Sequence, residues 1–66
     1  MTIVRLPEVW SERLVHMPES GMGYQRVNIT LKRGKVLRDV VVLNAEECQV
    51  PESFEVSEIA DVQLAR

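Results

Sequence analysis

The 66-residue chain has one cysteine, one histidine and three aromatic residues, and it has no long apolar run. A lone thiol, Cys48, cannot close an intrachain disulfide, and with His16 as the sole imidazole no Cys/His cluster has zinc-ligand spacing. Nucleophilic dyads and metal-assisted hydrolysis need more parts than this. Cys48 follows Glu46 and Glu47, whose charge raises a thiol pKa, so an inert thiol is expected. Paired carboxylates, such as Glu19 with Asp39 or Glu58, are the one acid/base arrangement left, and nothing in their spacing singles them out. The expectation is a protein without catalysis, cofactor or metal. No stretch approaches the roughly 20 apolar residues that cross a bilayer. The segment Met1 to Pro7 lacks the apolar region of a signal peptide, which points to a cytoplasmic protein and empties the Asn28-Ile29-Thr30 glycosylation match of meaning.

A chain this short forms one domain, residues 1–66, and buries only about 60% of the surface its unfolded form exposes. Disulfide and metal being excluded, association is the remaining way to reinforce so thin a core.

What is present is a hairpin, residues 24–44. Val27, Ile29 and Leu31 alternate with Arg26, Asn28, Thr30 and Lys32, the two-residue period of a half-buried strand. Lys32-Arg33-Gly34 suits a type I turn closed by a left-handed Gly34 in a bulge. In the second arm Val40, Val41, Val42 and Leu43 are apolar in succession, so both faces of that strand call for cover. Before the hairpin, residues 1–17 read as a short helix or an extended arm. Leu6, Val9, Trp10 and Leu14 have helical spacing and Pro7 suits a first helical position, whereas Pro18 biases Met17 toward extended geometry. After the hairpin, Ala45 to Pro51 reads as a polar connection. Residues 54–65 supply Phe54 and Val56 as a short strand or plug, a turn at Glu58 to Ala60 capped by Ser57, and a closing strand with Val62 and Leu64. The fold class is therefore mainly β, with a small α+β arrangement as the variant. Four or five antiparallel strands would curl toward a small SH3-like or Sm-like barrel.

Pro18, Gly21 and Gly23 interrupt regular structure and mark Glu19, Ser20, Gly21, Met22 and Gly23 as a candidate binding loop held by the scaffold. Gly21-Met22-Gly23 does not precede a helix, which a dinucleotide-binding loop requires, and Ser20 lacks a nucleophile elbow. The block Pro18-Glu-Ser-Gly-Met-Gly-Tyr-Gln25, with the hairpin after it and Glu58-Ile-Ala-Asp-Val62 near the end, resembles a group of short uncharacterised bacterial proteins. The resemblance covers residues 16–65. It implies a small β fold and brings no catalytic residues with it.

Charge is segregated along the chain. Arg26, Lys32, Arg33, Lys35 and Arg38 cluster on the hairpin, while Glu46, Glu47, Glu52, Glu55, Glu58 and Asp61 fill the second half, so the two regions can meet within one subunit or between two. Two functions follow. The first is a homo-oligomeric interaction module, dimer or larger, with Trp10, Val41 and Leu43 as the interface. The second is a single-stranded nucleic-acid binder using Tyr24, Arg26, Lys32, Arg33, Lys35 and Arg38. The net charge of −2 disfavours the second, because a dedicated binder is usually basic. A small ligand held between subunits is the third reading.

Overall fold

The computed structural model describes residues 2–65. Five antiparallel strands form one sheet in the order β1-β4-β3-β2-β5: β1 Thr2–Arg5, β2 Tyr24–Leu31, β3 Val36–Leu43, β4 Glu47–Val50 and β5 Ile59–Leu64. One helix, α1, spans Glu8–Val15. The sheet is open, with β1 and β5 at opposite ends of the order, so the closure that a barrel requires is not formed.

The alternation in β2 puts Gln25, Val27, Ile29 and Leu31 on the inner face, all buried. At the turn, Gly34 has φ +94° and its N–H donates to the Leu31 carbonyl at 2.9 Å, while the Leu31 N–H donates to the Lys35 carbonyl at 2.8 Å. That is a type I turn followed by a glycine bulge, the three-residue hairpin solution.

A second bulge decides what the valine run of β3 does. Val27 faces Val40 and Ile29 faces Leu37, so Arg38 and Asp39 together occupy the place opposite Asn28. Asp39 takes φ 57° and its N–H donates to Asn28 Oδ1 at 3.0 Å. The extra residue shifts the alternation. Leu37, Val40 and Val42 consequently point into the core, and Val41 and Leu43 are half-buried on the outer face.

Ala45 to Pro51 is not a polar connection. Asn44 and Ala45, with φ 54° and 60°, form a tight turn closed by the Glu46 N–H on the Leu43 carbonyl at 3.0 Å, and the chain returns as β4. Cys48 and Val50 face the core from this strand, and Glu47 and Gln49 face outward. The loop holds three residues, Asn44 to Glu46, between the paired Leu43 and Glu47, and two successive residues at positive φ in a hairpin turn are normally Asn-Gly. With Ala45 in the glycine position the turn carried no obvious sequence signal.

The N-terminal segment is both of the alternatives, in succession. Thr2–Arg5 pairs with β4, and after Leu6 and Pro7 the chain enters α1. Pro7 stands just outside the helix, extended at φ −61° and ψ 156°, and its carbonyl accepts from the N–H groups of Trp10 and Ser11. Met1 lies outside the described residues. Near the C-terminus the expected turn is displaced upstream: a 3-10 turn covers Val56–Glu58 without a side-chain cap, and Ile59 and Ala60 already belong to β5. Phe54 forms no strand; it and Val56 pack against the core from outside the sheet.

The core lies on one face of the sheet. Val4, Val27, Ile29, Val40, Val42 and Val62 meet Leu6 and Leu14 from the helical side, with Trp10 and Met17 packed at the margin. Besides the buried Leu14 and the Arg13–Asp61 ion pair, Gln25, which is 3% exposed, holds α1 there. Its Nε2 donates to the carbonyls of Leu14 at 2.9 Å and Met17 at 3.2 Å, at and just beyond the end of the helix, where the Leu14 carbonyl also accepts from the Met17 N–H at 3.0 Å.

Gln25→Met keeps the side-chain length and removes both donors. Urea unfolding is expected to show a loss of about 1–3 kcal/mol with an unchanged m value. Ala45→Gly relieves the left-handed alanine and is expected to raise stability by roughly 1 kcal/mol in the same measurement.

Candidate functional site

Because the core occupies the inner face, any site presented by the sheet is on the outer one. There Tyr24 opposes Leu43, which opposes Glu47, which opposes Arg5; the next row runs Arg26, Val41, Gln49, Ile3. Beyond these rows the Asp39 bulge opens a cleft of about 470 Å³ lined by Ser20, Tyr24, Arg26, Asn28, Arg38 and Asp39.

The cleft is internally braced. Arg26 Nε donates to Asp39 Oδ1 at 2.8 Å, and Arg26 Nη2 bonds Asp39 Oδ2. That carboxylate raises the Arg26 pKa above its ordinary value, so the guanidinium is cationic at every working pH. Both side chains are half exposed, and in water such a pair adds little stability. Its effect is to fix the direction of the guanidinium. The Arg26 backbone N–H donates to Ser20 Oγ at 2.9 Å, tying the Pro18 to Gly23 loop to β2. In that loop Gly21 lies under the Tyr24 ring: a Cβ at position 21 would stand 2.2 Å from the ring.

The residues read from sequence as sites are distributed unevenly. Of the six nucleic-acid candidates, Tyr24, Arg26 and Arg38 line the cleft, whereas Lys32, Arg33 and Lys35 lie at the hairpin turn. Arg33 Nε is 3.9 Å from Glu58 Oε2, and Lys35 bonds Glu52, whose pKa it lowers. The basic turn is therefore met by the acidic segment of the same subunit. Among the described residues Lys32 and Arg38 form no ion pair.

The interface candidates separate. Val41 and Leu43 stand on the outer face, while Trp10 is on α1, packed against the inner core with the Arg13 guanidinium 5.8 Å from its ring centre. The three cannot belong to one patch. Within the candidate loop, Ser20 reaches the cleft, Glu19 and Gly23 border a smaller hollow of about 270 Å³ beside Leu14 and Met17, and Met22 is 97% exposed. Asn28, which the sequence offers only as a sequon, is part of the site. Its role depends on the bulge opposite, and no spacing in the sequence announces that.

Cys48 is fully buried, and burial pushes its thiol up to about 12. The cause is desolvation in the core rather than the neighbouring glutamates, one of which, Glu47, points to the opposite face. His16 is exposed just after α1. Among the described residues no group of three or more His, Cys, Asp or Glu is placed to hold a metal ion, and no helix is long and apolar enough to cross a membrane. No family model matches the chain, and neither a curated protein nor a solved structure is significantly similar to it.

Native Cys48 is expected to resist iodoacetamide and to react only as the protein unfolds, so its labelling rate follows global opening. Between pH 9 and about 12 the unfolded chain releases the thiol proton and the folded one keeps it, so stability falls as pH rises through this window. A Cys48→Ala variant is expected to lack that part of the alkaline loss in urea titrations.

Proposed function

We propose that the protein is a non-catalytic interaction module that pairs with a second copy of itself through the outer face of the sheet. The observation that carries this reading is the apolar cluster on that face. Leu43 lies directly across from Tyr24, Val41 is separated from Ile3 only by Gln49, and Ile3 is 54% exposed. A sheet face that carried only polar side chains would need no cover; this one does.

The charges around the cluster favour a second copy over a strongly charged partner. Arg5 and Arg26 are balanced by Glu47 and Asp39, each bonded within the subunit. A patch of zero net charge can meet its own image across a twofold axis without like-charge repulsion. Face-to-face packing at the usual spacing of about 10 Å would also give the one-sided core a second layer. In this reading the SH3-like or Sm-like comparison is retained as architecture, β1 and β5 being the strands that closure would join. The reduced cytoplasm is the setting proposed, in keeping with a single thiol.

Binding of single-stranded nucleic acid by the whole basic hairpin has less support. Arg33 and Lys35 are compensated by Glu58 and Glu52, and Arg26 by Asp39.

Sedimentation velocity at micromolar concentration is expected to give a dimer or a larger closed assembly. The double variant Val41→Lys, Leu43→Lys is expected to sediment as a monomer with unchanged far-ultraviolet circular dichroism. A wild-type monomer, or an assembly that the two lysines leave intact, refutes the proposal.

A further inference from the structure

The cleft beside the Asp39 bulge has an unusual hydrogen-bonding balance. Both Asp39 carboxylate oxygens are occupied by Arg26. The side-chain oxygen of Asn28 is taken by the Asp39 N–H, which fixes the amide orientation and leaves Nδ2 as its free function. The Ser20 hydroxyl oxygen accepts from the Arg26 N–H, leaving its proton to be donated. Donors remain at Arg26 Nη1, Asn28 Nδ2, the Ser20 and Tyr24 hydroxyls and the Arg38 guanidinium, which has no carboxylate partner among the described residues; they outnumber the acceptor capacity left on the Asp39 carboxylate. Among the described residues, two guanidiniums against one carboxylate make the cleft cationic in a chain whose net charge is −2.

We propose that this cleft is a binding site for a small phosphate monoester. A phosphate group presents acceptor oxygens in several directions with close to two negative charges near neutral pH, which complements a cleft lined by several donors and, among the described residues, one net positive charge. Arg26 is already oriented by Asp39, so little side-chain entropy is lost when its remaining edge is engaged. The volume of about 470 Å³ leaves room for an organic group beyond the phosphate, against the Tyr24 side. The site lies within one subunit, between β2, β3 and the Ser20 loop, so its lining is complete in a monomer, and it shares Tyr24, Arg26 and Asp39 with the margin of the face proposed above to pair copies.

Two substitutions isolate the donors. Asn28→Asp keeps an oxygen for the Asp39 N–H and replaces the free donor with an acceptor; Arg38→Ala removes the unpaired cation from an exposed position. The probes are inorganic phosphate, a nucleoside monophosphate and a mixed-sequence single-stranded oligonucleotide, titrated at constant ionic strength and followed by amide NMR shifts. Saturable shifts at Asn28, Arg38 and Asp39 are expected with phosphate and more strongly with the monophosphate. Each substitution is expected to weaken binding about tenfold or more, the scale of one charge-assisted hydrogen bond. Spectra of the free variants, unchanged away from the cleft, establish that both fold. The proposal is overturned by an absence of saturable shifts with either small probe, by binding that neither substitution weakens, or by binding of the oligonucleotide alone.

Discussion

One buried amide ties the helix to the inner side of the sheet. Gln25 sits at an inward position of β2, where the strand period calls for an apolar residue, and spends its donors on the carbonyls at the end of α1. A glutamine without partners there would cost more than it contributes. With them, it joins the second element of the chain to β2, the strand beside β5, and fixes Leu14 over the core. The outer face is left to whatever lies outside the subunit.

That arrangement explains which parts of the fold were legible. The first hairpin arm and its turn could be read because Val27, Ile29 and Leu31 alternate strictly and Gly34 stands where a left-handed residue is needed. The Trp10 helix could be read from spacing, although Pro7 turned out to precede it. The strand Glu47–Val50 was hidden because its turn uses Ala45 where glycine is usual, and because Glu46, Glu47 and Gln49 disguise an alternation whose inward members are Cys48 and Val50. Trp10 lies apart from Val41 and Leu43 for a different reason. Each residue is large and apolar, but burial pattern does not say which layer a side chain joins, and α1 covers the face opposite to Val41.

The site was partly legible by type and illegible by place. Counting charges along the chain put five cations on the hairpin. It did not tell that the acidic second half folds back onto the turn, where Glu52 and Glu58 meet Lys35 and Arg33, so among the described residues the unpaired basic positions of the hairpin contract to Lys32 at the turn and Arg38 at the bulge. The segregation of charge seen in sequence is largely a record of intramolecular pairing. Asn28 gained its part only through the pairing of strands, which composition cannot convey.

The Asp39 bulge also acts as a parity switch. Without it, strict alternation from Leu37 would send Asp39 inward, followed by Val41 and Leu43, and expel Val40 and Val42; the two sets are nearly matched in greasiness, so hydrophobic burial alone hardly prefers either. The arbiter is a single carboxylate that stays in water. Wherever an apolar side chain takes its place, the valine ribbon loses its reason for choosing a side, and inside and outside become interchangeable.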